Sequence, residues 1–423
     1  MNVRRSFSWL VSASALSLAG LVLPRAPFAR DADVASHGDA QGITLALDAG
    51  EIPANPIPQP LPALGEASYD EALGRYVAPL EGGGRAILTL DPRLQARLER
   101  SLRSWNVPWG AVVLVEPATG RVLALAEHSR AEPSRRGLAT AALAPAASIF
   151  KLVTAAALLE EGVPAEKTVC YHGGKRRLAP GNLADDPRRD RRCVTLTSAF
   201  GHSTNVVFAK LAGRGLDSGR LRSAAERFLF NAQIPFAQPV EVSAAEIPDD
   251  AFGLANTAAG FGKVRLSALH GALLAAVVAN DGLMVPPVLV DAVEGATWPA
   301  AATPWRVVDE PVAVELGRMM RSTVTEGTAR KVFRRVAPSL RGVAVAGKTG
   351  SLADAAPYRD NSWFVGYAPA DRPEVAVAAV VVNERLWRVR APSLAREALE
   401  VYFGARVAGG PGGDGRHRTA SLR

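Results

Sequence analysis

A serine and a lysine three residues apart open a long apolar segment of the chain. Ser148 and Lys151 lie at the start of residues 146–162, which we predict to form a buried helix that ends in glycine. A spacing of three places both side chains on one helix face. A serine hydroxyl becomes a nucleophile when a neighbour takes its proton; a lysine with a lowered pKa can do this, whereas an arginine cannot. The N-terminal end of the helix would favour an oxyanion near Ser148.

The chain uses lysine rarely, which makes this lysine informative. Seven of its 49 basic residues are lysines, and of these only Lys151 forms a Ser-x-x-Lys pattern. The alternative interpretation is a serine that caps the helix beside a solvated lysine. The apolar composition of the helix argues against a freely solvated Lys151.

A Ser-x-Asn pattern follows between predicted helical segments. Ser203 and Asn205 could present a hydroxyl that relays protons and an amide that holds a peptide group. The pattern alone carries little information. Ser104 and Asn106 also match it, and we set that pair aside because it precedes Ser148 in a connecting segment.

A third group of polar residues comes after an apolar stretch at 343–346 that we predict to be a strand. The cation of Lys348 and the hydroxyls of Thr349 and Ser351 suit a carboxylate. Gly350 in a strand indicates that another backbone comes close, so an extended peptide could pair along this strand. A simple Lys-Thr-Gly turn is the alternative.

Positioning these residues requires elements from both ends of the chain. The predicted helices cover residues 91–105, 146–162, 267–280, 312–325 and 392–403, and the predicted strands cover residues 111–115, 122–126, 343–346, 362–368 and 375–382. This order predicts an α+β fold. An antiparallel sheet is built from both chain ends and flanked by helices, with an all-helical lobe inserted between them.

The two ends of the chain differ from its body. Two arginines precede an apolar run at 7–23, so residues 1–25 are predicted to be a cleaved signal peptide or an N-terminal membrane anchor, with a buried core helix as the alternative. Residues 26–83 are predicted to be a proline-rich linker and residues 407–423 a disordered basic tail. The folded domain is expected over residues 84–406.

The composition excludes several classes of protein. The 423 residues are 48% apolar and 21% charged, which excludes a wholly disordered chain, a collagen-like fibre and a polytopic membrane protein. The net charge of +8 is spread thinly, and we predict no nucleic-acid partner. The six histidines form no His-Glu-x-x-His pattern, so we expect no metal and no other cofactor.

The two cysteines could form a disulfide. Both interpretations of the N-terminus as a targeting segment export the body of the chain, and an oxidising compartment favours a bond between Cys170 and Cys193. Two free thiols are the alternative.

The three motifs occur in the order found in penicillin-interacting serine enzymes. On these residues the chain resembles the transpeptidase domain of penicillin-binding proteins, which belongs to the serine D,D-peptidase and β-lactamase-like superfamily. The likeness covers about residues 85–405. Five further landmarks resemble the family: Thr89–Asp91 with Leu94 and Gln95, the hairpin at 110–126, Gly260–Gly262 through Gly282 to Pro286, Glu326–Ala329, and Trp363–Pro369.

The resemblance implies a role for each polar residue of the first two motifs. Ser148 would attack the D-Ala-D-Ala carbonyl of a peptidoglycan stem peptide, and Lys151 would take its proton. Ser203 would pass that proton to the leaving D-alanine, with Lys348 tuning the local field. Asn205 would hold the substrate amide.

The third motif would bind the rest of the substrate. Thr349 and Ser351 would bind the terminal carboxylate, while Gly350 lets the substrate backbone approach. Backbone N–H groups of Ser148 and Ser351 would form the oxyanion hole. β-Lactam antibiotics would mimic the same substrate and leave a slow acyl-enzyme.

The resemblance leaves alternatives open. A D,D-carboxypeptidase differs only in accepting water, a serine β-lactamase must deacylate fast, and a sensor would bind penicillin without catalysis. We expect a small, monofunctional enzyme that is held to the inner membrane by a short tether. Such an enzyme would depend on a separate glycosyltransferase. We also hypothesise that the basic segment between Cys170 and Cys193 flanks the cleft and contacts an anionic wall polymer or a partner; a solvated loop is the alternative.

Overall fold

The computed structural model describes residues 63–174, 177–299 and 302–409. The strands are β1 Ser68–Asp70, β2 Arg75–Pro79, β3 Arg85–Leu88, β4 Trp109–Val115, β5 Val122–His128, β6 Ala144–Pro145, β7 Thr168–Tyr171, β8 Arg192–Thr195, β9 Arg265–Leu266, β10 Leu283–Met284, β11 Val290–Glu294, β12 Trp305–Arg306, β13 Ala346–Ala355, β14 Tyr358–Ala368 and β15 Val375–Asn383. The α-helices are α1 Pro92–Ser104, α2 Lys151–Glu160, α3 Leu196–Gly201, α4 Asn205–Gly215, α5 Ser218–Arg227, α6 Ala251–Ala258, α7 Ala268–Ala279, α8 Glu310–Thr325, α9 Arg330–Phe333 and α10 Ala391–Gly409. Short 3₁₀ helices cover Ala147–Phe150, Pro180–Asn182 and Pro338–Leu340.

A five-stranded antiparallel sheet forms the centre of the fold. Its strand order is β13-β14-β15-β4-β5, so strands from the C-terminal third pair with the early hairpin β4–β5. Most of the helices lie between β5 and β13 in the sequence. The structure therefore has the predicted α+β architecture, with a sheet from both chain ends and a helical insertion.

The two faces of this sheet pack against different helices. Alternate residues of a strand point to opposite faces, and Val113 and Leu114 accordingly belong to different buried clusters. The cluster of Val113 contains α7 and α2, whereas that of Leu114 contains α1 and α10. The sheet is thus covered on both sides, which agrees with the nearly continuous burial of β4 and β15.

Local signals set the ends of several helices. The carboxylate of Asp91 accepts hydrogen bonds from two backbone N–H groups of the first turn of α1, and Pro92 occupies its first position. Ser267 caps α7 in the same way. Gly162, at a positive φ of 77°, follows the end of α2. These boundaries lie within a few residues of the predicted ones.

The linker prediction is wrong at its C-terminal end. Residues 68–79 form β1 and β2, which join β3 and β11 in a four-stranded antiparallel sheet. Val77 and Ala78 are buried there. No local pattern predicts this sheet, because β11 lies about two hundred residues after these strands. The rest of the predicted linker, residues 26–62, lies outside the described residues, as does the proposed signal or anchor.

Two other boundaries differ from expectation. The strand predicted at 343–346 is wrong, since β13 begins at Ala346 and continues to Ala355, so the Lys-Thr-Gly motif lies within the strand. The predicted tail begins too early because α10 extends to Gly409; residues 410–423 lie outside the described residues. Across the described ranges, no helix is both long enough and apolar enough to cross a membrane.

Candidate active site

The turn that carries Ser148 is fixed by close backbone packing. Ala147 has a φ of +50°, and the 3₁₀ turn it begins runs directly into α2. A Cβ atom on Gly260 would lie 2.4 Å from the carbonyl oxygen of Ala147 and 3.0 Å from the amide nitrogen of Ser148. Glycine is therefore required at 260, where φ is +89°. Ala147 likewise takes a conformation that glycine adopts without strain.

Lys151 is fully buried at the base of this turn. Its Nζ atom lies 2.9 Å from Ser148 Oγ and 2.8 Å from Asn205 Oδ1, and it also donates to the carbonyl oxygen of Ala259. Burial, and secondarily the charge of Lys348, hold the pKa of Lys151 well below its ordinary value. A neutral amine at this position can accept the proton of Ser148.

A second buried lysine faces the other serine. Lys348 donates to Ser203 Oγ at 3.1 Å and to the backbone carbonyl of Thr349 at 2.9 Å. Burial lowers the pKa of Lys348 to about 7. Ser203 has a φ of +56° in the turn between α3 and α4, and this turn brings it into reach of β13.

Aromatic rings line the buried side of both lysines. The ammonium of Lys151 lies 5.5 Å from the ring centre of Phe208, and that of Lys348 lies 5.4 Å from that of Phe200. Both rings are buried and belong to the helices on either side of the Ser-x-Asn turn. The low polarity of this wall explains why burial dominates both pKa shifts.

The strand β13 brings the third motif next to the nucleophile. It is an edge strand that, among the described residues, pairs only with β14. A Cβ atom on Gly350 would lie 3.1 Å from Ile149 Cγ1 and 3.2 Å from the Ala146 carbonyl oxygen, so β13 and the nucleophile turn are in close contact. Thr349 and Ser351 flank this glycine on the strand.

Thr328 makes a polar contact in the site, although the sequence alone assigns this residue no role. Its hydroxyl oxygen lies 2.5 Å from that of Thr349, and its N–H donates to the carbonyl oxygen of Gly201 at 3.0 Å. Gly327 makes this fit, since a Cβ there would lie 2.0 Å from the same Gly201 oxygen. In the sequence, Thr328 is noticed only as part of the landmark Glu326–Ala329. That landmark supports the family resemblance but assigns no role to Thr328.

The two cysteines predicted to pair, and the buried His270, make no hydrogen bond to this cluster among the described residues. Cys170 and Cys193 form a disulfide that links β7 to β8. His270 is buried on α7, where its Nε2 contacts the carbonyl oxygen of Phe228, and burial lowers its pKa to about 4. Among the described residues, no group of histidine, cysteine and acidic side chains has the arrangement of a metal site.

The structure thus brings together the polar residues of all three motifs. Hydrogen bonds of 2.8–2.9 Å join Lys151 to Ser148 and Asn205, and a hydrogen bond of 3.1 Å joins Lys348 to Ser203. The two groups meet at the Ser-x-Asn turn, which carries both Ser203 and Asn205. A serine beside a lysine of lowered pKa, with an open strand edge next to it, can perform acyl transfer on a peptide-like substrate. These features define the class of serine acyl-transfer proteins.

Comparison with known proteins agrees with this class. The family model described as the penicillin-binding protein transpeptidase domain matches residues 110–399. A peptidoglycan D,D-transpeptidase of Mycobacterium tuberculosis, PbpA, is 30% identical over 345 residues, which are 71% of this chain and 68% of that protein. The chain belongs to the penicillin-binding protein transpeptidase family.

Solved structures give the same relationship. Penicillin-binding protein A from M. tuberculosis, as its imipenem acyl-enzyme complex, superposes with a TM-score of 0.62 at 25% identity, covering 76% of this chain and 80% of that one. Its penicillin G acyl-enzyme complex superposes with a TM-score of 0.61 at 26% identity, covering 80% and 83%.

Proposed function

We propose that this chain is a peptidoglycan D,D-transpeptidase in which Ser148 is acylated by a D-Ala-D-Ala stem peptide. The observation that carries the proposal is the 2.9 Å contact between Ser148 Oγ and the buried amine of Lys151. The kinship with proteins named D,D-transpeptidases, and with solved acyl-enzymes of β-lactams, supports the same activity.

The acylation step uses the first motif. Lys151, as the neutral amine, accepts the Ser148 proton while Oγ attacks the carbonyl carbon of the penultimate D-alanine. The oxyanion forms near the backbone N–H groups of Ser148 and Ser351, where each donor contributes roughly 3 kcal/mol of transition-state stabilisation. Collapse of this intermediate breaks the peptide bond and leaves an ester on Ser148.

The leaving group and substrate are handled by the other two motifs. Ser203, hydrogen-bonded to Lys348, relays the proton that Lys151 has taken from Ser148 to the departing D-alanine amine. Asn205 holds the substrate amide, Thr349 and Ser351 bind the terminal carboxylate, and the open edge of β13 pairs with the peptide backbone next to Gly350. An acceptor amine then attacks the ester carbonyl and gives up a proton. The new amide bond is the cross-link, and cleavage of the ester bond returns Ser148 as a hydroxyl.

The disulfide and the N-terminal segment bear on the compartment in which the enzyme works. We propose that the body is extracytoplasmic, on the periplasmic side, and that the N-terminal segment is an anchor or a signal peptide. The disulfide in the described part of the chain supports an oxidising compartment. A separate glycosyltransferase would supply the glycan strands.

The experiment is the intact mass of the full chain incubated with benzylpenicillin over hours, with Ser148→Ala as control. The expected result is one persistent adduct that requires Ser148. An unmodified protein with intact drug would indicate a sensor-like fold without acylation, and hydrolysed drug would indicate a β-lactamase. A D,D-carboxypeptidase would form the adduct but release D-alanine from a stem peptide without using an added acceptor amine.

A further inference from the structure

The disulfide hairpin β7–β8 forms one wall of a cavity of about 790 Å³ that none of the active-site residues lines. Four arginines line this cavity, Arg177, Arg189, Arg191 and Arg192, together with His172. None of the described residues that line it is acidic. A concave site with several guanidinium groups is suited to carboxylates or phosphates, which arginine binds in a bidentate manner.

Two of the three acidic residues of the same loop, Asp185 and Asp190, are paired with cations of α4. The third, Asp186, lies 3.9 Å from Arg189, which lines the cavity. Asp190 accepts a hydrogen bond from Lys210 at 2.6 Å and contacts His172 Nδ1, and Asp185 pairs with Lys210 at 3.1 Å and with Arg214. Their charges are therefore compensated by cations of α4. Arg177 and Arg192 have no hydrogen-bond or ion-pair partner for their guanidinium groups among the described residues. Two of the three acids of the loop are thus neutralised at α4, whereas the guanidinium groups of Arg177 and Arg192 lie unpaired at the cavity among the described residues.

One residue that lines the cavity has a side-chain nitrogen whose hydrogen bonding is incomplete. The side chain of His172 is 10% exposed, and its Nδ1 is used by Asp190. Its Nε2 is buried and has no hydrogen-bond partner in the described part of the chain. An unused buried donor or acceptor is costly unless something else pairs with it.

The loop is attached to the helix that begins in the active site. Lys210, fully buried, donates to the carbonyl oxygen of Cys170 as well as to Asp190. It lies on α4, five residues after Asn205, which corresponds to about 8 Å along the helix axis. A Cβ atom on Gly174 would lie 2.6 Å from Val206 Cβ, so the loop also packs directly against the first turn of α4.

We propose that this arginine cavity binds the carboxylates of a peptidoglycan strand and holds the polymer near the catalytic serine. This inference rests on the proposed function, because it assigns the ligand to the polymer that the active site would modify. A polymer bound at the cavity has a higher effective concentration of its reactive groups at the active site. We favour carboxylates over the phosphates of other wall polymers, because a peptidoglycan strand could then occupy the arginine cavity and the active site at once.

The test is binding of the full chain to purified sacculi from which phosphate-bearing polymers have been stripped. The chain is first acylated with benzylpenicillin, so that the active site contributes little to binding. Arg177→Gln with Arg192→Gln should weaken sacculus binding by about tenfold and reduce its salt dependence. The matched control is Arg334→Gln with Arg335→Gln, an adjacent exposed pair outside the cavity that removes the same charge; its binding should not change.

A second arm uses the unsubstituted chain, so that it does not depend on how a variant folds. Sacculi whose carboxylates have been amidated with carbodiimide should lose binding to a similar extent. Binding equal for amidated and untreated sacculi, or equal for the cavity and control variants, would overturn the proposal. Binding that needs unstripped sacculi would overturn it in favour of a phosphate polymer. The benzylpenicillin adduct is a separate readout, so failure of the proposed function is seen independently of failure at the cavity.

Discussion

The hydroxyl oxygens of Thr328 and Thr349 lie 2.5 Å apart although the two residues belong to different parts of the fold. Thr328 follows α8, whereas Thr349 lies on the edge strand β13. The contact uses one of the few hydrogen-bonding positions of the Thr349 hydroxyl and so orients the others. We infer that Thr328 positions the hydroxyl that would bind the substrate carboxylate.

Replacing Thr328 by valine tests this positioning role. Thr328→Val keeps the shape of the side chain and removes the hydroxyl, so acylation by benzylpenicillin should slow by about tenfold, the effect of roughly one hydrogen bond. The slower acylation should be seen at low drug concentrations, because the variant binds the drug more weakly before the covalent step. The matched control is Thr325→Val, an exposed threonine in the last turn of α8. Equal rates for the two variants would show that Thr328 has no positioning role.

Replacing Gly260 by alanine should disable the nucleophile without touching it. The new Cβ would meet the Ala147 carbonyl oxygen at 2.4 Å, and φ at this position is +89°, so the turn carrying Ser148 must shift. We expect Gly260→Ala to slow acylation by benzylpenicillin at least about a hundredfold, as displacement of a reacting group by about 1 Å can.

The control for Gly260→Ala is another glycine in open surroundings. Gly213 lies on α4, and a Cβ atom added there would have nothing within 4 Å. Gly213→Ala should therefore leave acylation unchanged while stabilising the helix by about 1 kcal/mol. Normal acylation of Gly260→Ala, measured by intact mass, would mean that the turn adapts.

The pKa of Lys348 predicts how stability changes with pH. The folded-state pKa is about 7, against 10.5 for the free side chain, so between these values the unfolded chain binds more protons than the folded one. The contribution of Lys348 to the free energy of unfolding must then rise with pH over this window and stay constant below it. Relative to Lys348→Met, the unsubstituted chain should gain up to about 1.4 kcal/mol per pH unit between about pH 7 and 10.

Urea unfolding at several pH values measures this difference. Lys263→Met serves as the control, because Lys263 is exposed and pairs with the exposed Glu246; its difference from the unsubstituted chain should stay nearly flat. A flat difference for Lys348→Met as well would show that Lys348 is charged in the folded state throughout this range.

Removing the disulfide should lower stability but leave the nucleophile intact. The bond closes a segment with a sequence separation of 23 between Cys170 and Cys193. Replacing both cysteines by serine should lower the free energy of unfolding by roughly 3 kcal/mol, as expected for a loop of this length. Reductant should cause the same loss in the unsubstituted chain and none in the variant. The benzylpenicillin adduct should still form.

Local patterns in the amino-acid sequence predict the chemistry and most of the architecture. The spacing of Ser148 and Lys151, the helix signals at Asp91 and Ser267, and the hairpin at β4–β5 are each set by interactions between residues a few positions apart. The order of the elements then predicts a sheet from both chain ends, because apolar strands must be covered by helices.

The remaining features depend on partners that are distant in the chain, so they emerge only on folding. Ser203 and Lys348 are 145 positions apart, and only packing shows that burial lowers the pKa of Lys348. β1 and β2 fall within the predicted linker because their sheet is completed by β11, far along the chain. The contacts of Thr328, Gly260 and the arginine cavity likewise form where separate segments meet. No pattern among neighbouring residues predicts such contacts, because they depend on closing long stretches of chain.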